Sequence, residues 1–136
     1  MKELKIEAAV NNIAAVTDFV NAELKKLDCP RKASTQISIA IDELFGNIAR
    51  YAYTPDVGNA EVRLEVEENP LSVIITFIDS GKPFNPLEQA QPDTTASAKE
   101  REIGGLGIFL VQKTMDMVEY EYKEGQNILR IKKNLI

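Results

Sequence analysis

Two pairs of short apolar segments, each pair separated by only a few residues, constrain the fold of this chain most. The first pair covers 61–67 and 73–79, and the second covers 118–122 and 129–131. Three of the segments alternate apolar and polar residues, as half-buried strands do, whereas 73–79 is apolar on both faces. Links this short favour antiparallel pairing, because parallel strands need a crossover of about a dozen residues or more. The pattern therefore predicts hairpins rather than the alternating units of a doubly wound fold.

Helical spacing accounts for much of the remaining chain. Apolar residues recur three to four positions apart over 13–27 and within a second helix expected over about 33–53, and the glycines at 104–107 open a third helix. Alternation over 4–8 predicts a short first strand. This order predicts an α+β fold, a two-layer sandwich in which helices cover one face of a mixed, largely antiparallel sheet.

The composition indicates one domain over 1–136. Of the 136 residues, 44% are hydrophobic and 27% are charged, so a single core can form without disulfides or a structural metal. The net charge is -5, and no basic stretch is long enough to follow a nucleic-acid backbone. No apolar leader opens the sequence and no segment approaches the roughly 20 apolar residues of a membrane span. We therefore expect a cytoplasmic protein that binds neither nucleic acid nor membrane.

The chain contains no histidine, and this excludes several kinds of site within it. A Ser-His-Asp triad, a His-based zinc site and a phosphohistidine relay are all ruled out. Cys29 is the single cysteine, so no intrachain disulfide can form, and a lone cysteine beside a proline is more often structural than nucleophilic. Acid–base chemistry would have to use a carboxylate, a lysine, a tyrosine or this thiol.

Glu43 and Asn47 form the first candidate constellation. They lie four residues apart on the second predicted helix and so share one face, with Arg50 one turn further on. This face is displaced from the apolar stripe by the 3.6-residue period. The ordinary interpretation is a solvated polar face. The alternative is a carboxylate and an amide that face a ligand, since an amide oxygen is a hard ligand suited to Mg²⁺.

Asp79 and Gly81 form the second constellation, where the apolar strand ends. A carboxylate at a strand end lies at a rim, where it could accept a hydrogen bond from an amino group such as that of adenine. Gly81 would allow a ligand or a tight turn to come close. A plain Asp-x-Gly turn explains the same residues equally well.

Gly104, Gly105 and Gly107 form the third constellation, at a helix start. Missing side chains expose backbone N–H groups there, and both features favour phosphate. A hinge or an ordinary helix start is the alternative. The spacing matches neither the Walker pattern nor the dinucleotide-binding fingerprint.

In this order, the three constellations resemble the GHKL or Bergerat-fold ATPase superfamily along essentially the whole chain. Residues 43–47 resemble its N box, 79–84 its first glycine box and 104–107 its second. The loop at about 86–103 would then be the ATP lid. Within that superfamily the glycine boxes are most similar to those of the anti-sigma-factor serine/threonine kinases of bacterial partner-switching systems, which are short domains.

The resemblance implies ATP and Mg²⁺ as cofactors and gives each candidate a role. Asn47 would hold Mg²⁺, Asp79 would read the adenine amino group and Glu43 would be the catalytic base. Further cofactor-binding positions would be Arg50, Gly81, Gly104, Gly105, Leu106 and Gly107. The substrate would be a serine or threonine of a STAS-type antagonist, the sequestered partner a sigma factor, and the protein a homodimer.

The N box departs from the family pattern at two positions. Arg50 occupies the place of a lysine found in sensor kinases and keeps its charge, whereas Tyr51 replaces a common histidine. Arg101 is a second candidate phosphate contact, although a solvated charge between two glutamates is the ordinary interpretation. Two other functions stay open: a nucleotide-gated binding module without kinase activity, and the ATP-binding half of a sensor kinase.

Overall fold

The structure is a computed structural model that describes residues 1–89 and 106–135. Five strands and three α-helices make up most of these residues. The strands are β1 (Lys2–Glu7), β2 (Asn59–Glu67), β3 (Ser72–Asp79), β4 (Met117–Lys123) and β5 (Gln126–Asn134). The helices are α1 (Ile13–Lys26), α2 (Arg31–Asn47) and α3 (Leu106–Thr114). Short 3-10 helices span Val10–Asn12 and Pro86–Gln89, and a π-helical turn, Ile48–Ala52, continues α2.

The five strands form one open sheet with the order β1-β2-β3-β5-β4. All four neighbouring pairs of these described strands are antiparallel, so the sheet expected as mixed contains only antiparallel pairs here. Both predicted hairpins are present. The β4–β5 hairpin turns through Glu124 and Gly125, whose φ angles of 52° and 79° suit the tight turns that match the twist of the strands.

Alternation of the strands separates an apolar face from a charged one. The apolar face packs against all three helices, and its buried members are Ala60, Val62, Leu64, Val73, Ile75, Phe77, Leu129 and Ile131. The opposite face carries ion pairs, among them Lys5 with Glu61 and Lys132 with Glu67. This arrangement confirms the predicted α+β sandwich with helices on one face. Asp79 shares its parity with Phe77, so its side chain lies on the covered face.

The helix α2 carries the central apolar stripe of the helical layer. Ile37, Ile41 and Phe45 are each 0% exposed, and α2 packs against both α1 and α3. The helix begins at Arg31, directly after Pro30, two residues earlier than expected. Its α-helical part ends at Asn47, and the π turn extends the helical run close to the predicted end.

Two further expectations concern the parts of the chain outside regular strands. A short helix was expected after Pro86, and a 3-10 helix lies there. Most of the predicted lid, 90–103, lies outside the described residues. Among the helices that the structure describes, none has the length and apolar content that crossing a bilayer requires.

Candidate functional site

A cleft opens between the carboxyl-terminal half of α2 and the ends of β3, β4 and β5. It brings Asn47 and Asp79, two of the predicted site residues, into one lining. The other lining residues are Leu44, Ile48, Ala52, Phe77, Lys82, Phe84, Pro86, Tyr120, Asn127 and Leu129. Most of these side chains are apolar, with polar groups at a few points, which is the usual character of a small-molecule site.

Asp79 is the buried carboxylate of this cleft and is 5% exposed. Its Oδ1 accepts hydrogen bonds from the Gly81 N–H at 2.9 Å and from Asn127 Nδ2 at 2.9 Å. Burial raises the pKa of Asp79 above the ordinary aspartate value, and the two hydrogen bonds only partly offset this effect. The structure therefore holds a desolvated carboxylate with one oxygen anchored by the protein.

Asn127 is the side chain that sequence analysis missed. It pairs with Asp79 across β3 and β5 and is 6% exposed. The paired apolar segments 118–122 and 129–131 left Asn127 in the link between them, but β5 begins at Gln126, so Asn127 lies in the strand. Asn127 lies two residues before Leu129 and four before Ile131, so all three side chains face the same side of the strand. A polar residue in line with two buried apolar ones is the sequence signal by which Asn127 could have been found.

Glu43 and Asn47 lie together on α2, one turn apart, and Asn47 lines the cleft. Asn47 Nδ2 donates a hydrogen bond to Glu43 Oε1 at 3.4 Å. Of the side-chain hydrogen bonds found among the described residues, Asn47 Oδ1 accepts none, so this oxygen is available to a cation. Glu43 is half-buried and does not line the cleft itself.

The Glu43 carboxylate lies against the first turn of α3. A Cβ added at Gly107 would overlap with this carboxylate, so Gly107 leaves the space that Glu43 occupies. The sequence predicted a phosphate contact for Gly107. In the structure, the absence of a side chain at Gly107 leaves room for the Glu43 carboxylate. Leu106 begins α3, while Gly104, Gly105 and Arg101 lie outside the described residues.

The loop at 80–84, which follows β3, is fixed to the end of the α2 helical run. The Lys82 N–H donates to the Ala52 carbonyl at 2.8 Å, and a Cβ at Gly81 would overlap with that carbonyl. The Ser80 N–H donates to Tyr53 Oη at 2.8 Å. The glycine at position 81 therefore permits a close approach of protein backbone, and it does not line the cleft.

Arg50 and Tyr51 lie beside the cleft rather than in its lining. Arg50 is exposed, and a Cβ at Gly46 would lie 2.7 Å from Arg50 Nη1. The guanidinium thus lies against the Gly46 backbone. Tyr51 is 52% exposed and its ring lies 6.2 Å from that of Phe84.

The cleft suits a metal that a ligand brings with it. Among residues 1–89 and 106–135, no group of three or more His, Cys, Asp or Glu side chains gathers to hold an ion. Magnesium commonly binds through one or two protein oxygens together with waters and substrate phosphates. The amide oxygen of Asn47 fits that mode of binding.

Comparison with known families gives one match along most of the chain. A family model described as a histidine kinase-like ATPase domain matches residues 6–133.

Similar bacterial proteins include a serine-protein kinase and an anti-sigma factor. Serine-protein kinase RsbW of Bacillus anthracis is 26% identical over 132 residues, which cover 96% of this chain and 82% of that protein. An anti-sigma F factor of Caldanaerobacter subterraneus subsp. tengcongensis is 27% identical over 129 residues, covering 95% of this chain and 89% of that protein.

Solved structures with the same fold include an RsbW domain and a histidine kinase catalytic domain. The RsbU and RsbW domains of Rv1364c from Mycobacterium tuberculosis superpose with a TM-score of 0.65 at 16% identity, covering 99% of this chain and 33% of that longer chain. The catalytic domain of histidine kinase ThkA superposes with a TM-score of 0.52 at 16% identity and covers 99% of both chains. At these identities the likeness shows the fold.

Proposed function

The chain belongs to the histidine kinase-like ATPase domain family, and we propose that it is a Mg-ATP-dependent protein serine/threonine kinase that acts as an anti-sigma regulatory factor. The observation that carries this proposal is the cleft that Asn47 and Asp79 share. Its lining offers an anchored carboxylate acceptor, Asp79, and an amide oxygen, that of Asn47, beside a second carboxylate. A nucleotide needs the same two kinds of partner, one for its base and one for its phosphates.

The base would lie at the Asp79 end of the cleft. The 6-amino group of adenine donates a hydrogen bond, and the carboxylate of Asp79 accepts it. Guanine presents a carbonyl oxygen at the same place, so two acceptors would face each other. A buried acceptor left unpaired in this way costs about 1–3 kcal/mol. Phe77 and Leu129, both buried, give the ring apolar surface.

The phosphates would lie at the other end, between Asn47 and the start of α3. Asn47 would hold Mg²⁺ through its Oδ1, and the ion would neutralise charge on the transferring phosphoryl group. Backbone N–H groups at the beginning of α3 favour anions. The roles predicted for Gly104, Gly105, Leu106 and Gly107 as phosphate contacts belong to this proposal, as does a phosphate contact for Arg50.

Glu43 would act as the base for the acceptor hydroxyl. Its carboxylate lies between Asn47 and Gly107, at the phosphate end of the proposed site. In the transfer, the Ser or Thr oxygen bonds to the γ-phosphorus, the bond to the β-phosphate oxygen breaks, and Glu43 takes the hydroxyl proton.

The partners follow from the relatives named above. Similarity to RsbW and to an anti-sigma F factor supports a sigma factor and its antagonist as partners. We extend this to a STAS-type antagonist as phosphate acceptor, to a homodimeric protein and to action in the cytoplasm.

Replacement of Glu43 by Gln tests the kinase proposal. The protein would be incubated with labelled ATP, Mg²⁺ and a STAS-type antagonist. Glu43→Gln should lower phosphorylation about 10²–10⁴-fold, the usual contribution of a positioned acid–base group, and change ATP affinity little. Asp42→Asn is the matched control, because Asp42 is the neighbouring carboxylate on α2, is exposed and lies outside the cleft.

Asn47→Ala separates catalysis from binding in the same assay. Loss of a Mg²⁺ ligand should weaken both Mg-ATP affinity and transfer, by about tenfold or more, since even an outer-shell partner of a metal is worth that much. If the protein is a binding module without kinase activity, no variant should phosphorylate the antagonist, but Asn47→Ala should still lower the affinity for Mg-ATP. A Glu43→Gln protein that phosphorylates at the wild-type rate would remove Glu43 from the mechanism.

A further inference from the structure

Asn127 and Asp79 form a buried pair that links the sheet to the 80–84 loop. They are register partners on β5 and β3 and lie on the face that the helices cover. At 6% and 5% exposure, they are two of the few buried polar side chains among the described residues. A polar pair in such a place is stable only when its hydrogen-bonding groups are satisfied.

The amide of Asn127 is fully used by the protein. Its Nδ2 donates to Asp79 Oδ1 at 2.9 Å and to the Lys82 carbonyl at 2.8 Å. Its Oδ1 accepts from the Phe84 N–H at 3.0 Å and from the Tyr120 hydroxyl at 2.5 Å. A primary amide has two donor hydrogens and two acceptor sites, so Asn127 has no group left for a ligand. It can act on a ligand only through Asp79 and the loop.

The two oxygens of Asp79 are in different states. Oδ1 accepts from Asn127 Nδ2 and from the Gly81 N–H, which fills the two acceptor sites of one carboxylate oxygen. No donor among residues 1–89 and 106–135 reaches Oδ2. Asp79 lines the cleft, and with Oδ1 already bonded to the protein, Oδ2 is the oxygen that a ligand in the cleft would reach.

We propose that Asn127 determines base specificity by holding Asp79 Oδ1, so that only one carboxylate oxygen faces a bound purine. This inference rests on the proposed nucleotide site. A single acceptor suits adenine, whose 6-amino group supplies one donor. Guanine can pair strongly with a free carboxylate in another way, through its adjacent N1–H and 2-amino donors, one to each oxygen. Asn127 and Gly81 block the second of those bonds.

The 2-amino group of guanine can be tested by itself, because inosine has the same N1–H and 6-oxygen but lacks that group. Binding of Mg-ATP, Mg-GTP and Mg-ITP would be measured by calorimetry for the wild type, Asn127→Ala and Gln126→Ala. Gln126 is the matched control, since it is the neighbouring amide in the same strand and is exposed. Thermal unfolding would show that each variant is folded.

In the wild type, ATP should bind best, and GTP and ITP should bind equally and weakly. In Asn127→Ala, Oδ1 keeps only the Gly81 donor and can accept the 2-amino group. The GTP-to-ITP affinity ratio should then rise from about 1 to about 10 or more, the value of one hydrogen bond to a charged group. Gln126→Ala should keep the wild-type ratio. A purely structural role of Asn127 would weaken all three nucleotides together and leave the ratio unchanged.

Each result of these titrations either supports or overturns the role proposed for Asn127. A folded Asn127→Ala protein that binds ATP and keeps a ratio of about 1 overturns the role of Asn127. If that variant does not fold, the wild type still tests it, because a wild-type preference for GTP over ITP of about tenfold would mean that both oxygens are accessible. A wild type that binds none of the three nucleotides would overturn the proposed function itself.

Discussion

At the scale of single residues, Asp79 is held where ionisation is unfavourable. Burial raises its pKa, and the donors at Oδ1 only partly compensate. A ligand amino group at the other oxygen would add the missing stabilisation of the charged form. Perturbed carboxylates of this kind are concentrated at functional sites because the same desolvation strengthens contacts with a bound ligand.

The raised pKa gives a pH dependence of stability with a definite sign. Between the ordinary aspartate pKa, about 3.9, and the higher value of folded Asp79, the native state binds more protons than the unfolded state. The free energy of unfolding contributed by Asp79 therefore falls as pH rises through that window. Relative to Asp79→Asn, the wild type should lose stability from pH 4 upward, as measured by urea unfolding in the absence of nucleotide. A wild type that gains stability relative to the variant over this range would contradict the burial argument.

The shared helix face of Glu43 and Asn47 was predictable from the sequence, but the contact of Glu43 with α3 was not. Their four-residue spacing predicts a shared helix face, and the hydrogen bond between them is consistent with it. The spacing alone could not indicate that Glu43 lies against Gly107, because that contact depends on how α3 packs on α2.

At the scale of elements, α2 is the platform of the candidate site. Its apolar stripe fixes the helix against the sheet, and the polar face beside that stripe carries Glu43 and Asn47. The stripe was recognisable from its period, which is why the helix could be predicted although its last turn widens into a π turn at Ile48–Ala52. Such turns are often found at functional sites.

Two isoleucines of α2 test this role of the helix. Ile41 is 0% exposed and Ile39 is 49% exposed. Ile41→Ala should lower the free energy of unfolding by about 2–5 kcal/mol, the usual cost of a buried large-to-small substitution, whereas Ile39→Ala should change it by less than about 0.5 kcal/mol. Chemical denaturation measures both. Equal effects of the two substitutions would mean that the helix packs in another orientation.

The 80–84 loop joins two elements at Gly81, where its backbone meets the Ala52 carbonyl. Gly81→Ala should destabilise the protein by about 1–3 kcal/mol, since the partner atom is backbone and cannot rotate away. Nucleotide affinity should fall as well, because Asp79 accepts a hydrogen bond from Gly81.

Gly125→Ala is the matched control for that substitution. Gly125 has a φ of 79° but open space around its Cα, so alanine there should cost about 1–2 kcal/mol of backbone strain. Thermal unfolding and nucleotide titration of both variants give the comparison. If Gly125→Ala reduced nucleotide affinity as much as Gly81→Ala does, the loop would not be the link to the site.

At the scale of the whole molecule, the sequence predicted the layers and the hairpins better than it predicted the site. Alternation and helical spacing are local patterns, so they indicate which face of each element is buried. The contact between Asp79 and Asn127 joins residues far apart in sequence, and it depends on β3 lying next to β5. Only the assembled sheet brings them together, which is why Asn127 was not recognised. The close approach of Gly81 to the Ala52 carbonyl likewise depends on tertiary packing.

Calorimetric titration of the wild type and of Asp79→Asn shows whether the cleft of this molecule binds Mg-ATP with adenine at Asp79. In the variant, the amide oxygen would keep the donors of Gly81 and Asn127, and its NH₂ would face the adenine amino group. The wild type should bind Mg-ATP and strongly disfavour Mg-GTP, and Asp79→Asn should weaken Mg-ATP binding by about tenfold or more. Equal affinity of both proteins for Mg-ATP, or wild-type binding of Mg-GTP as tight as that of Mg-ATP, would mean that Asp79 does not bind adenine.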